Sequence, residues 1–452
     1  MQISGLNFTF APLESNMRRI TCLILFFLAM TDLYAQQTRL SERSTLYFIL
    51  GTSGSNIREL NEMLAHKGIS NLRGGYNSMG LGFQYRLTDF ILGFELFQNN
   101  GTNSYFREYT LDNRTSRFYM NVGYALTEEG KFHLVHYMSL GAGYLNFQML
   151  KDQRRVSDLT SFLDQPAQGF IIRQHDIQKG SHRFGGFLTE IGFQFGYDLP
   201  LPGLEENLSV LGKFGYSFSP FEGAWTMNGI TFDNLQSGAF FRLGAGVSLS
   251  NQKLFFPDAG IGVHFFYGKN FKNPKRLNQV LADNGWQPFS RTPGYLGMKI
   301  LAENRGRLYG VDIFNIANTG QGNETYQHTL NSLRAYGNYG FQLYKRKNLE
   351  LGIMAGLGMG TIRYTVEHGS KPDFPLLFEE PDFDGYLRNR GLMSKGELVM
   401  SYAMPVFKNL FSFVYSVHGG YELPLSRYRL GEVSMANYLS GPYVQFGLGL
   451  KP

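Results

Sequence analysis

The feature that most limits what this chain can fold into is a passage that occurs twice, about 217 residues apart. Leu60-Asn61-Glu62-Met63-Leu64-Ala65-His66-Lys67-Gly68 recurs as Leu277-Asn278-Gln279-Val280-Leu281-Ala282-Asp283-Asn284-Gly285. At the same offset, Arg117-x-Tyr119-x-Asn121-x-Gly123 recurs as Arg334-x-Tyr336-x-Asn338-x-Gly340. Similarity at a fixed offset is the mark of a duplicated folding unit. Two tandem repeats are expected, over residues 36–250 and 251–452. Fold and function must both use one unit twice.

The beginning of the chain carries an export signal. From Met17 a basic pair, Arg18-Arg19, precedes an apolar run from Ile20 to Met30, and Leu33-Tyr34-Ala35 stands before Gln36-Gln37. A charged start, a short apolar run and a small residue at the break describe a secretory signal. Residues 17–35 are read as that signal, with cleavage after Ala35, and residues 1–16 as a wrongly assigned start. The apolar run is far short of the ~20 residues a membrane anchor needs. Cys22, the one cysteine, lies inside the signal, so the mature chain is expected to have neither thiol chemistry nor disulfides.

Beyond it, no stretch offers 18 consecutive apolar residues, which argues against a transmembrane helix. Yet 15% of residues are aromatic, 54 are glycine, and mean hydropathy is only -0.21. Export, aromatic and glycine enrichment and no spanning helix together suggest a transmembrane β-barrel. The rival is a secreted β-sandwich, and the pattern along the chain separates the two.

Segments of roughly 9 to 13 residues alternate apolar with small or polar residues, and their connections alternate long and short. The short ones include Leu87-Thr88-Asp89, Thr127-Glu128-Glu129-Gly130 and Lys345-Arg346-Lys347-Asn348; the long ones include Phe147–His182 and Thr365–Asn389. Eight strands are expected in each repeat. Sorting short turns to one side and long loops to the other is the habit of outer-membrane barrels, with the short turns periplasmic; a sandwich has no reason to do it. Within strands, Leu81, Phe83 and Tyr85 share one face while Gln84 and Arg86 share the other. Likewise Ile191, Phe193 and Tyr197 oppose Glu190 and Gln194. The apolar face must meet lipid, because the polar face in a dry core would cost several kcal/mol per charge. Tyr85, Tyr124, Tyr197 and Tyr402, on the apolar face beside short turns, are expected to form an aromatic girdle.

The inward positions expected to line a lumen are Glu95, Arg117, Glu190, Lys213, Arg242, Lys299, Asp312, Arg334, Lys395 and Glu397. Glu95 matches Asp312 and Arg117 matches Arg334, so a salt bridge between neighbouring strands is expected within each repeat. Such charges either select solutes in a wet pore or neutralise one another as structural filling.

Signals for catalysis are weak, and no enzymatic role, cofactor or metal is expected. The nine histidines show no metal-binding spacing, and His133 and His136 fall on opposite faces of one strand. Gly51-Thr52-Ser53-Gly54-Ser55 lacks nucleophile-elbow spacing, and His368-Gly369-Ser370 has no evident partner. A formal net charge of +6 without a long basic run argues against nucleic acid. Outer-membrane lipid and small polar solutes are the expected partners, with any partner of the long loops unknown. Phe162-Leu163-Asp164-Gln165-Pro166 resembles Phe378-Glu379-Glu380-Pro381. A loop that is apolar at its tip in both repeats could fold over a lumen or touch a partner.

With these strands, turns and faces, and Tyr34-Ala35-Gln36-Gln37 at the cleavage site, each half resembles the small eight-stranded outer-membrane β-barrel proteins of Bacteroidota. The resemblance implies an all-β, antiparallel, up-and-down barrel in the outer membrane and no shared catalytic residues. A tandem pair departs from the usual single unit. The short link Ser250 to Ala259 is like the other turns, which favours one sixteen-stranded barrel over the alternative, two eight-stranded barrels in series. A sixteen-stranded lumen would be wide enough for a passive solute pore. With two small barrels, side chains would fill each lumen and the protein would present its loops for binding, adhesion or envelope structure.

Overall fold

The computed structural model describes residues 42–451, apart from 88, 102, 130, 152–157, 174–185, 201–205, 222–224, 228–229, 233–234, 251–258, 323–324 and 407–410. The signal segment, the stretch before it and Cys22 lie outside the described residues.

Sixteen barrel strands follow in order. The first repeat has β1 (Glu42–Gly54), β2 (Gly75–Leu87), β3 (Phe90–Asn100), β4 (Tyr109–Glu129), β5 (Phe132–Lys151), β6 (Phe187–Pro200), β7 (Glu206–Phe218) and β8 (Gly238–Ser250). The second has β9 (Ala259–Asn270), β10 (Gly294–Asn304), β11 (Arg307–Gln321), β12 (Tyr326–Arg346), β13 (Leu349–His368), β14 (Gly385–Val406), β15 (Phe411–Pro424) and β16 (Gly441–Lys451). Each strand pairs antiparallel with its neighbours in sequence.

Closure decides the architecture, and it corrects the favoured sequence expectation. β1 pairs with β8, Leu46 opposite Val247 and Leu50 opposite Leu243. β9 pairs with β16, Phe265 opposite Leu448. Each repeat thus satisfies its own first and last strand, and no free edge is left to continue one sheet into the other. The single sixteen-stranded barrel is replaced by two closed eight-stranded barrels. A short link between the eighth and ninth strands fits either arrangement; the pairing of the end strands separates them.

The two barrels match in detail. A β-bulge interrupts β4–β5 between Ala125 and Thr127, and another interrupts β12–β13 between Gln342 and Tyr344, the same repeat position. β4 and β12 each run 21 residues, twice what a tilted spanning strand needs, so their ends stand well beyond a bilayer. The described part of the chain after Phe147 is accordingly more strand than loop: β5 continues to Lys151, and Gly169–Arg173 returns as a short strand against it. β13 likewise runs to His368 and β14 starts at Gly385, inside the expected loop Thr365–Asn389.

Outward positions are apolar and exposed around both barrels, with Met120, Leu243, Leu296, Leu357, Leu398 and Phe446 among them. One flank differs. Phe83, Val263, Met298 and Ile300 are buried in a shared cluster against Leu46, Tyr85, Phe94, Leu96 and Ala302, where the barrels touch side by side. The rings of Phe94 and Phe265 stand 6.5 Å apart there. Phe83 and Tyr85 therefore face the neighbouring barrel rather than lipid. Tyr197 and Tyr402 are exposed as a girdle requires, and Tyr124 is half-buried, edge-on to Phe90 at 5.4 Å.

Candidate functional site: filled lumens and exchanged caps

All ten sequence-predicted lumen residues are at most 5% exposed, on the opposite face of their strands from the exposed apolar belt. Their partners differ from those expected. In the first barrel the Lys213 ammonium lies 2.8 Å from Glu95, whose other contact is the Tyr47 hydroxyl donating at 2.7 Å. Arg242 makes a two-pronged contact with Glu190, at 2.8 and 2.6 Å, and its guanidinium lies 4.1 Å from the ring centres of both Phe97 and Phe240. That planar fork and flat face are what arginine offers and lysine lacks. Arg117 turns away from Glu95 and donates to Gln236 at 2.8 Å and Ser217 at 3.4 Å.

In the second barrel Asp312 meets Lys395 at 2.5 Å and Lys299 at 3.7 Å, and Glu397 meets Lys299 at 2.7 Å and Lys395 at 3.0 Å. Tyr443 donates to Glu397 at 2.8 Å and His418 lies 3.1 Å from the Lys299 ammonium. Arg334 pairs with Glu422, not with Asp312; Tyr336 donates to the same carboxylate at 2.8 Å, and Lys272 reaches it at 3.0 Å. The expected Glu95–Arg117 and Asp312–Arg334 bridges are both absent. In a narrow barrel the opposite wall is as close as the next strand, so partners are drawn from across the lumen. Tyr47 and Glu422 escape a strand-by-strand reading for the same reason, Lys272 and Gln236 because they stand outside the barrel strands, and His418 occupies the inward position that matches Lys213. Cross-lumen pairs with no exposed member make each interior a packed core. Removing one partner of such a pair leaves a buried charge, at about 3–5 kcal/mol.

The long-loop end of each barrel is capped. The repeated passage that opens the sequence is a helix, α1 (Arg58–His66) in the first barrel, and its copy Lys275–Asp283 in the second; Leu60, Leu64, Leu277 and Leu281 are its buried residues. Each helix stops where Gly68 and Gly285 take φ of 73° and 76°, the left-handed position after a helix that favours glycine. Asn61 donates to the Leu72 carbonyl at 2.9 Å and accepts from the Leu72 amide at 2.8 Å. Asn278 does the same to Phe289, both at 2.9 Å. The repeat is kept because it builds a stapled cap.

The other half of each cap is supplied by the opposite repeat. A second helix, α2 (Leu159–Asp164), lies in the long connection of the first repeat, with Asp158 accepting from the Ser161 amide at its start. Its Leu159, Phe162 and Leu163 are buried among Leu277, Leu281, Trp286, Phe289, Tyr364 and Tyr438 of the second barrel. In return Phe374, Leu377 and Phe378 of the second repeat are buried among Leu60, Leu64, Leu111, Phe147 and Phe170 of the first. Phe374 stands 5.4 Å from Phe147 and 6.3 Å from Phe232, edge to face. The resemblance between Phe162–Pro166 and Phe378–Pro381 thus marks two loops doing the same job in exchange.

Where the loops cross, the chain is tightly bonded. The Phe383 and Asp384 amides donate to the Gly169 carbonyl at 2.8 and 2.6 Å, and Gln168 donates back to the Asp384 carbonyl at 2.8 Å. The Asp384 carboxylate accepts from the Ile171 amide at 2.7 Å and the His368 amide at 2.9 Å, with Lys371 at 2.8 Å. Burial raises this carboxyl above its ordinary range, against the lowering effect of Lys371. Gly385 lies against the Pro166 carbonyl and the Phe162 ring, where any side chain would collide. Tyr109 and Lys151 both reach Asp382, at 2.9 and 2.7 Å, and Lys67 reaches Glu379 at 2.8 Å.

His136 packs on Phe193 at 5.2 Å, His368 is engaged within its own loop, and among the described residues no group of three or more His, Cys, Asp or Glu could hold a metal.

Closed antiparallel barrels with charged interiors and broad exposed apolar exteriors define a transmembrane β-barrel protein, because water does not tolerate an apolar belt of this extent. Among the described residues no helix is long and apolar enough to cross a membrane. No family model matches the chain, and no curated protein matches it. Among solved structures it is similar to the toluene transporter TodX of Pseudomonas putida, at 12% identity over 91% of this chain and 88% of that one, with a TM-score of 0.23. It is similar also to the toluene transporter TbuX of Ralstonia pickettii, at 10% identity over 92% and 90%, TM-score 0.19. A third is a Pseudomonas aeruginosa FadL homologue, at 9% over 91% and 89%, TM-score 0.22. Likeness this faint carries no argument about what the chain does.

Proposed function

We propose that this is an outer-membrane protein of a Gram-negative bacterium whose two barrels do not conduct at rest and whose working surface is the exchanged cap assembly. The observation that carries the reading is the filling of both lumens: the ten charged residues expected to line a water channel are instead buried against partners across the barrel. The wide sixteen-stranded lumen on which a passive pore depends is not formed. The caps are long, cross-braced and raised on strands that outrun the membrane, which suits presentation to a binding partner or a role in envelope structure. A non-enzymatic role and the kinship of each half with small Bacteroidota barrels belong to the same reading.

A second reading, a gated solute channel, is favoured by one feature: what covers the polar interiors is loop rather than strand. Because the covers are exchanged, neither barrel could open without withdrawing a segment of the other, and the two gates would move together.

Planar-bilayer recording of the purified full chain tests both. Silence across voltages is expected. Steady open currents from the unaltered protein would overturn the resting-closed reading. Currents that appear only in the Phe162→Ala/Phe374→Ala variant would select the gated channel.

A further inference from the structure

At their short-turn ends the two barrels have diverged in one place. The β10–β11 turn carries Arg305 and Arg307, and the β12–β13 turn carries Lys345, Arg346 and Lys347, with Glu303 and Glu350 as the only acids in residues 303–307 and 345–350. These windows carry net +3. The matching windows of the first barrel, 86–90 and 128–133, hold Arg86 and Lys131 against Asp89, Glu128 and Glu129, net −1. The two basic turns are neighbours, joined by the Gln342 amide donating to the Gly306 carbonyl at 2.8 Å. Both acids are engaged by one cation: Lys345 lies 3.0 Å from Glu303 and 3.4 Å from Glu350. Arg307, Arg346 and Lys347 are exposed, and none of the described ion pairs involves them.

The same edge has changed in its aromatic residues. Tyr309, Tyr339, Phe341 and Tyr344 are exposed, whereas the first barrel has Leu92, Val122, Tyr124 and Thr127 at the corresponding positions. Tyr309 is opposite Tyr339 and Arg307 is opposite Phe341 in the ladder. The Tyr309 and Tyr339 rings lie 5.4 Å apart, and Tyr339 and Phe341 5.2 Å. Side chains two apart on a strand share a face, so Arg307 projects just beyond Tyr309 on the outward side. Aromatic rings settle at headgroup depth, and cations one step further out meet the phosphate layer.

We propose that this edge of the second barrel, β11 to β13 at the short-turn end, binds the headgroup of an anionic glycerophospholipid. The rings flank the glycerol and upper acyl region while Arg307, Arg346 and Lys347 engage the phosphate, an anion that guanidinium binds with two parallel hydrogen bonds. The inference rests on the outer-membrane placement, which puts these turns in the periplasmic leaflet. The first barrel, with net −1 in its turns and only Tyr124 among the four matching outward positions aromatic, serves as an internal control.

The test is native mass spectrometry of the full chain released from nanodiscs of phosphatidylglycerol mixed with phosphatidylcholine. Retained phosphatidylglycerol is expected on the unaltered protein. The Arg307→Gln/Arg346→Gln/Lys347→Gln variant should lose its preference on the order of a hundredfold. Lys131→Gln in the first barrel should change nothing. Equal retention of both lipids by the unaltered protein, or undiminished preference in the triple variant, would overturn the site. So would equally strong displacement of the lipid by soluble peptidoglycan fragments. A chain that does not enter nanodiscs as a folded barrel would instead contradict the outer-membrane placement, a distinguishable failure.

Discussion

The two lumens solve one problem with different charges. The first barrel holds two separate pairs, Glu95 with Lys213 and Glu190 with Arg242. The second merges Asp312, Lys395, Glu397 and Lys299 into one network and sets Glu422 between Arg334 and Lys272. The differences compensate. Gly82, covered by the Tyr47 ring, corresponds to Lys299, and Tyr47 corresponds to His264; Gly192 corresponds to Glu397, Ser217 to Glu422, and Arg242 to the neutral Gln445. Where one repeat gains a charge, an opposite one accompanies it, and where it loses bulk, a neighbouring ring fills in. What both halves retain is a full interior in which these carboxylates meet a cation, rather than any particular pair, which fits a closed core better than a solute-selecting ring.

The largest effect should come where one charge has only one partner. Arg242→Met strands Glu190 and should cost about 3–5 kcal/mol, read as a lowered urea midpoint for the heat-modifiable folded form. Adding Glu190→Gln should restore part of it. Lys395→Met should cost less, since Lys299 still faces both Asp312 and Glu397. Equal losses for the two single variants would dissolve the distinction between isolated pair and network.

Of similar size are the caps. Phe374→Ala removes a buried ring, typically about 3–5 kcal/mol, and the loss should be felt by the barrel that does not contain it. Hydrogen exchange should quicken at the long-loop ends of β4 and β5 in the first barrel. Phe162→Ala should do the same to β12 and β13 in the second. Acceleration confined to the mutated repeat would break the exchange.

Smaller again are the staples. Asn61→Ala and Asn278→Ala each remove two hydrogen bonds to one loop residue, about 1–3 kcal/mol, and should raise protease sensitivity of residues 67–73 and 284–290 respectively. A difference between the two variants would reveal which cap depends more on its staple.

The smallest concerns pH. Burial raises the Asp384 carboxyl above its ordinary value of 3.8 in the folded protein. Folding therefore favours its protonated form, and that contribution is present below the unfolded value and lost as pH rises through the folded one. Asp384→Asn should flatten the slope of stability with pH in that window; an unchanged slope would remove Asp384 as its source.

Much of this was legible in the residues, for identifiable reasons. Period-two alternation separated Glu190 and Gln194 from Ile191 and Phe193 because a strand has only two faces. The Leu60–Gly68 repeat reported the duplication, but that it is a stapled helical cap is seen only in the structure. What escaped was everything set by closure. Ladder spacing led to Arg117 as the partner of Glu95, but Glu95 on β3 meets Lys213 on β7, across the lumen. The linker between β8 and β9 could not tell one barrel from two, and no local pattern says that Phe162 and Phe374 cap each other's barrels. Phe83 carries the same apolar signature whether it meets lipid or a second barrel.

Disulfide trapping in the membrane tests the exchanged caps most directly, because the one native cysteine lies in the segment read as a cleaved signal. Gln168→Cys/Asp384→Cys joins the crossing loops of the two repeats, whose backbones are hydrogen-bonded there at 2.8 Å, and Leu50→Cys/Leu243→Cys joins the strands that close the first barrel. Interlocked barrels predict oxidation of both pairs in the same folded preparation. Full oxidation of the closure pair while the cap pair stays reduced would contradict the exchange.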